Sequence, residues 1–187
     1  MLVHSYNISR VNGPGVRFVL WTQGCTKGCK ECYNPETWKF EGQSFSSDEI
    51  FELICSYEID GITLTGGDPL EQEDILDLLK LLWRLNLPKG IILFTGYTFD
   101  EINNSNLREC FNYIDVLIDG RFEKEQKISS SLRGSENQNI LYFSSKVSAE
   151  ELNIDHEVEV LRRDGLVSLT GFPKLDRKYL RSLGVIV

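Results

Sequence analysis

A chain of 187 residues with 41% apolar content is long enough to bury the core of one domain. Its formal charge of −8 and pI near 4.9, with no basic block along the chain, exclude a polyanion such as nucleic acid as the main partner and favour a protein or a small molecule. The opening MLVHSYNISR lacks the apolar core of a secretory signal, no later run reaches membrane-spanning length, and five cysteines, three of them clustered, suit a reducing compartment; the expectation is a cytoplasmic protein with no membrane partner.

In chain order, Leu2 to Ile8 predicts a first strand and Asn12-Gly13-Pro14-Gly15 spells a turn. RFVLWT, Arg17 to Thr22, is β-branched and aromatic and predicts a buried strand. It leads into the stretch from Trp21 to Asn34, where Cys25, Cys29 and Cys32 stand in the spacing C-x3-C-x2-C. Three thiolates this close can grip a soft metal centre. A 4Fe-4S cubane held by three cysteines leaves one iron open for a small molecule to chelate, whereas a closed structural site needs a fourth ligand. The alternative is a zinc site completed by His4, Cys55 or Cys110. Otherwise Cys55 and Cys110 sit in helix-like patterns as inert core thiols, and His4 and His156 are surface or structural residues.

Pro35 to Gly42 reads as irregular; Ser46 with Glu49 three residues on gives a capping box, and Ile50, Phe51, Ile54 and Cys55 make one helical face. GITLT, Gly61 to Thr65, is a strand ending in Gly66-Gly67-Asp68-Pro69, followed by a helix over 72–85 that buries Ile75, Leu78, Leu79 and Leu82. GIILF, Gly90 to Phe94, repeats the pattern, ending at Thr95-Gly96-Tyr97; a helical stretch over 99–111 leads to a strand at Val116 to Ile118 that ends at Asp119-Gly120. This alternation predicts a parallel α/β sheet with right-handed crossovers and every polar strand end on one side. Arg121 to Ser135, with Lys124, Lys127 and Ser129 to Ser131, reads as a mobile loop able to order over a substrate, or as a plain surface loop. Asn139 to Phe143 is a further strand, Val158 to Leu169 a hairpin around Arg163-Asp164-Gly165, and Leu175 to Leu183 a short helix. The division expected is a core over 1–145 and a C-terminal extension over 146–187 packed on it.

The run GPGVRFVLWTQGCTKGCKECYNPETW resembles the radical S-adenosylmethionine enzymes, and within them the activating enzymes of glycyl radical enzymes, in particular the anaerobic ribonucleotide reductase activases. The likeness rests on the small-residue turn, on Gly24 before the first cysteine, and on Tyr33-Asn34-Pro35 after the third. Where the commoner superfamily pattern has an aromatic residue just before the third cysteine, this chain has Glu31, with Tyr33 just after, as in the reductase activases. Gly66-Gly67-Asp68-Pro69 stands where the family has Gly-Gly-Glu-Pro, whose backbone and carboxylate bind the cofactor's ammonium group; Asp68 is one methylene shorter. Asp119-Gly120-Arg121-Phe122 and Arg133-Gly134-Ser135-Glu136-Asn137-Gln138 look like the activase runs Asp-Gly-x-Phe and Arg-Gly-Ser-Ser-Asn-Gln, with Glu136 a departure. The similarity spans about Ser5 to Ile140.

The resemblance implies an α/β domain of partial parallel (β/α) barrel form. It implies a 4Fe-4S cluster on Cys25, Cys29 and Cys32, with S-adenosylmethionine at the open iron. Gly66, Gly67, Asp68, Pro69, Tyr33, Asp119 and Arg133 are then the cofactor-binding candidates. Reductive cleavage to a 5'-deoxyadenosyl radical would abstract hydrogen from a polypeptide, foremost a glycine of an anaerobic ribonucleotide reductase or a relative, with flavodoxin or ferredoxin as electron donor. The alternatives are a maturase acting on a ribosomally made precursor peptide and a non-catalytic zinc-binding protein. Plainer roles compete residue by residue: Gly66-Gly67 as a tight turn, Asp68 as a helix cap, Asp119 as a turn residue, Tyr33 and Trp38 as packing, and Arg133 as a solvated charge.

Overall fold

The computed structural model describes residues 1–128, 132–153, 158–163 and 166–171. The chain runs out along β1 (Leu2–Ser9) and returns antiparallel as β2 (Arg17–Thr22). After the cysteine loop and a 3-10 turn at Pro35–Thr37, the short strand β3 (Gln43–Ser44) adds to β1. Two complete βα crossovers follow: α1 (Ser47–Cys55) leads to β4 (Gly61–Gly66), and α2 (Ile75–Trp83) leads to β5 (Ile91–Phe94). The third is looser, with α3 (Phe99–Asn103) and a 3-10 stretch at Asn106–Asn112 before β6 (Val116–Asp119). The chain then forms β7 (Asn139–Tyr142), α4 (Ala149–Leu152), and the hairpin of β8 (Val158–Arg163) and β9 (Leu166–Gly171).

The seven-stranded sheet has the order β3-β1-β2-β4-β5-β6-β7. Its centre, β2-β4-β5-β6, is parallel, as the βα alternation predicts. Its flanks are antiparallel, a direction that the βα alternation does not address. The reason is connection length and content: residues 10–16 are too few for a crossover, which takes a dozen or more, and between β6 and β7 the described chain has only a 3-10 turn at Lys124–Gln126. β3 and β7 stand at opposite ends of the strand order, so the described sheet is open.

Helix α1 starts on the capping box that the sequence spells, with Ser46 accepting from the Glu49 backbone and Glu49 returning the bond. It buries Ile50 and Ile54, while Cys55 is exposed, which corrects its assignment as a core thiol. Cys55 lies four residues after the part-buried Phe51 on the flank of the apolar stripe, at the helix's last turn. Ile75, Leu78, Leu79 and Leu82 of α2 are buried as expected and pack with Phe18, Leu20, Ile62, Leu64, Ile91, Leu93 and Leu117 of the sheet. Alternation along β5 and β6 sends Ile92, Val116 and Ile118 to the opposite face, where Leu132, Val147 and Leu152 cover them. Cys110 belongs to the core on the α2 side, and burial pushes its thiol up to about 12.

At the edge where the parallel strands begin, Arg17 is fully buried. Its Nε donates to Thr63 Oγ1 (2.7 Å), its Nη1 to the carbonyls of Pro14 (3.1 Å) and Lys89 (3.0 Å), and its Nη2 to those of Gly90 (3.0 Å) and Ile62. Every N–H of the guanidinium is therefore matched. Burial lowers its pKa to about 9, opposed by the carboxylates of Asp115 and Asp60. The β8–β9 hairpin pairs from Val158 with Gly171 to Arg163 with Leu166, as the two apolar runs predict; Asp164-Gly165, Ser129 to Ser131, His156 and the helix expected at Leu175 to Leu183 lie outside the described residues. The hairpin touches the turn after β1, where Arg10 N donates to Glu159 Oε1 (2.8 Å) and Asn12 Nδ2 to Thr170 Oγ1 (2.8 Å). Among the described residues no helix is long and apolar enough to cross a membrane.

Candidate functional site

Because β2, β4, β5 and β6 are parallel, Thr22, Gly66, Phe94 and Asp119 bring their following loops to one edge of the sheet. The cysteine loop leaves β2 there and is braced by its own return: Gly24 N donates to Thr37 O (2.7 Å), Cys25 N to Trp38 O (3.0 Å), and Gln23 Nε2 to Lys39 O (2.7 Å). Cys25, Cys29 and Cys32 are half-buried thiols. Cys32 N donates to Cys29 O (3.1 Å), and Asn34 N points at Cys32 Sγ (3.3 Å). Burial pushes the Cys25 thiol up to about 11, against the Lys27 backbone N–H and with the charges of Asp68 and Glu71 adding to the rise.

The donor set fits a multi-iron cluster. Three thiols share one loop, an amide faces one sulfur, and Gly28, between the first two cysteines, has open space where a Cβ would stand. Of the residues that could complete a zinc site, Cys110 is in the core and Cys55 lines a depression with Val16 and Asp60 at the opposite edge, while His4 lies beside the loop's start with its Nδ1 2.9 Å from Gln23 Oε1. Among the described residues, no three His, Cys, Asp or Glu side chains converge as a single-ion site.

The Gly66-Gly67 backbone lies directly on the cysteine loop. Gly67 N donates to Thr22 O (2.8 Å) and Asp68 N to Gly24 O (2.9 Å). A Cβ at position 67 would sit 2.3 Å from Gly24 O, and one at position 66, where φ is +105°, 2.4 Å from Thr22 N. This approach requires glycine at both positions. Asp68 is fully buried and its carboxylate accepts from Thr95 Oγ1 (2.8 and 3.0 Å), Gly96 N (2.9 Å) and Leu70 N (3.0 Å). Burial raises its pKa to about 6, held back by those donors. Asp68 thus caps the turn begun by the buried Pro69 and ties β4 to the loop after β5.

Asp119 is likewise engaged by the protein: it accepts from Phe99 N (2.6 Å), Asn139 N (3.1 Å) and Asn139 Nδ2 (2.9 Å), joining the start of α3 to β7. Tyr33 meets Phe122 edge-on at 4.9 Å between ring centroids, with Lys127 Nζ 5.4 Å from its ring centroid. Lys124 pairs with Glu31, so the segment after β6 lies against the cysteine loop. Arg133 donates from Nη1 to Gln138 O (3.2 Å), while its Nε is buried with no partner among the described residues. Gln138 closes this turn, donating to Gly120 O (2.9 Å) and accepting from Gly134 N (2.8 Å).

Residues 11–141 match the 4Fe-4S single cluster domain family. The chain is 40% identical over 142 residues to the anaerobic ribonucleoside-triphosphate reductase-activating protein of Enterobacteria phage T4, covering 72% of this chain and 89% of that one. The protein of the same name from Escherichia coli is 39% identical over 143 residues (71% and 92% covered), and that from Pasteurella multocida 39% over 155 residues (76% and 97%). The chain belongs to the family of anaerobic ribonucleoside-triphosphate reductase-activating proteins. Among solved structures, QueE from Escherichia coli overlaps 51% of this chain and 52% of its own with a TM-score of 0.43 and 19% identity, too partial to bear on function.

The same edge holds a group that the motifs do not name. Glu71 Oε2 accepts from Thr26 N (2.7 Å), and its Oε1 from Thr26 Oγ1 (2.6 Å). Lys27 Nζ stands 3.2 Å from Glu71 Oε1, with the two side chains only 9% and 6% exposed, and 3.2 Å from the ring centroid of Tyr97. Burial works against the Lys27 charge, but Glu71 and Tyr97 outweigh it and raise the ammonium's pKa. Each residue borders a motif, yet the pair is joined only by the fold, so no local pattern reveals it.

Proposed function

We propose that this chain activates an anaerobic ribonucleoside-triphosphate reductase by cleaving S-adenosylmethionine and drawing hydrogen from a glycine of that partner. The observation that carries the reading is the seating of Gly66-Gly67 on the three-cysteine loop through two backbone hydrogen bonds, in a chain of this family. Cys25, Cys29 and Cys32 would hold three irons of a 4Fe-4S cluster and leave the fourth to the methionyl amino and carboxylate groups. When bound, the cluster supplies one electron to the sulfonium, breaking a carbon-sulfur bond to give methionine and a 5'-deoxyadenosyl radical.

The chain's own residues supply placement. Backbone of Gly66 to Pro69 would line the methionyl end, where the two glycines allow close approach. Asp68 shapes that edge from beneath through Thr95 and Gly96 rather than by direct contact. Asp119 fixes the neighbouring strand end in the same way. Tyr33 and Phe122 form an apolar wall that would keep water from a radical, and Arg133, whose Nε has no partner among the described residues, would supply a positive charge for a carboxylate or a peptide carbonyl. The parallel strands would form a partial barrel around this mouth, within a core of 1–145 that carries 146–187 as an extension. An electron donor of flavodoxin or ferredoxin type completes the system, in the cytoplasm where the thiols stay reduced.

The test is anaerobic: reconstituted, reduced protein is mixed with S-adenosylmethionine and the partner reductase, and 5'-deoxyadenosine and the partner's radical signal are measured. Both are expected, and Cys29→Ala is expected to abolish both. Full cleavage by Cys29→Ala would sink the proposal.

A further inference from the structure

We propose that Lys27 and Glu71 are positioning residues: a largely enclosed strap that fixes the first half of the cysteine loop and balances the Glu71 carboxylate beside the thiols. The inference rests on the reading of Cys25, Cys29 and Cys32 as metal ligands. Between the first two cysteines stand Thr26, Lys27 and Gly28. Thr26 and Lys27 are both held by Glu71, while a Cβ at Gly28 would meet nothing within 4 Å. Glu71 is itself fixed, because it ends the 3-10 turn of Pro69–Glu71 with its N–H on Asp68 O (3.1 Å).

The lysine stem ties in a third loop. A Cβ on Gly96 would lie 2.8 Å from Lys27 Cγ, so the absence of a side chain at 96 lets the stem cross to its place over Tyr97. One ion pair therefore fastens together the loops that follow β2, β4 and β5. Two charges this buried are tolerable only as a pair, since removing either leaves the other uncompensated. Beside a redox centre, that imbalance also moves the potential: a lone carboxylate disfavours the added electron and a lone ammonium favours it.

The experiment uses the full chain in two states. Before reconstitution, exchange of the Thr26 amide with deuterium is followed by NMR. Glu71→Ala is expected to speed it roughly tenfold or more, as for loss of a hydrogen bond to a charged group, and Glu71→Gln, which keeps an acceptor oxygen, is expected to restore part of the protection. Equal exchange in wild type and Glu71→Ala overturns the strap. After reconstitution, Lys27→Met is expected to shift the cluster's potential down, Glu71→Gln to shift it up, and the double variant to return close to wild type; shifts of one sign overturn the charge-balancing role. Gly96→Ala is expected to lower the iron bound per chain in wild type but hardly at all in a Lys27→Ala background, and equal losses in the two backgrounds count against the strap. If Cys29→Ala binds iron as fully as wild type, the metal reading fails, and Thr26 exchange in the unreconstituted chain still decides the strap.

Discussion

The two ends of the same parallel strands are built on opposite principles. Where β2, β4 and β5 begin, a fully buried guanidinium meets an acceptor at every N–H, and the backbone is closed around it. Where they end, the loops carry half-buried thiols, and glycines bring one backbone onto another. Saturation at one edge holds the strands together, and the other edge is left with groups that can still take a partner. A loop edge of this kind needs a rigid scaffold behind it, since catalytic placement tolerates little looseness.

The largest expected effect tests the closed edge. Arg17→Leu removes the donors to the carbonyls of Pro14, Ile62, Lys89 and Gly90, of which Gly90 O keeps only its bond from Ile62 N, and is expected to cost about 4 kcal/mol or more in urea unfolding, with the metal centre lost only because the fold is lost. Gly67→Ala probes the open edge. Its Cβ would force Gly24 O away, for an expected stability cost of about 2 kcal/mol but a much larger loss of S-adenosylmethionine cleavage. If the two variants lost stability and cleavage in the same proportion, the division of labour between the edges would be wrong.

Smaller effects sharpen the contrast. Asp68 titrates near pH 6 in the fold, above the ordinary aspartate value of 3.8. Between those values the folded state binds the proton more tightly than the unfolded one, so charged Asp68 costs stability at neutral pH and the cost is relieved as pH falls through 6. From pH 7 to pH 5 the wild type should gain about 1 kcal/mol relative to Asp68→Asn in urea unfolding. Least of all, Cys55→Ser on the exposed flank of α1 is expected to stay within about 0.5 kcal/mol of wild type, with unchanged iron content.

Much of the fold was legible because its signals are local. The apolar stripe of α2, the Ser46 capping box and the four central strands all follow from short-range period and turn chemistry. Strand direction at the flanks was not, because alternation looks the same in either direction and only the connection decides it. β3, with two residues, has too little pattern to detect. The cysteine spacing and the two glycines were readable for the same reason of locality. Asp68 was readable as a cap, which it is for Leu70 N, but its bonds to Thr95 and Gly96 and those of Asp119 to Phe99 and Asn139 were not, since these partners arrive from other elements. The Lys27–Glu71 pair escaped for that reason too: neither residue has a counterpart nearby in sequence.

The bracing of the cysteine loop bears on the order of events in the molecule's life. Gly24 and Cys25 are bonded to Thr37 and Trp38, and Gly67 and Asp68 to Thr22 and Gly24. In small zinc domains folding waits for the ion, because nothing else orders the ligands. Here backbone bonds to Trp38 and to the turn after β4 hold Cys25 and its flank, so the fold is expected to form without waiting for the metal. A chain stripped of metal by a chelator is therefore expected to keep its cooperative urea unfolding, and loss of that transition on chelation would count against it.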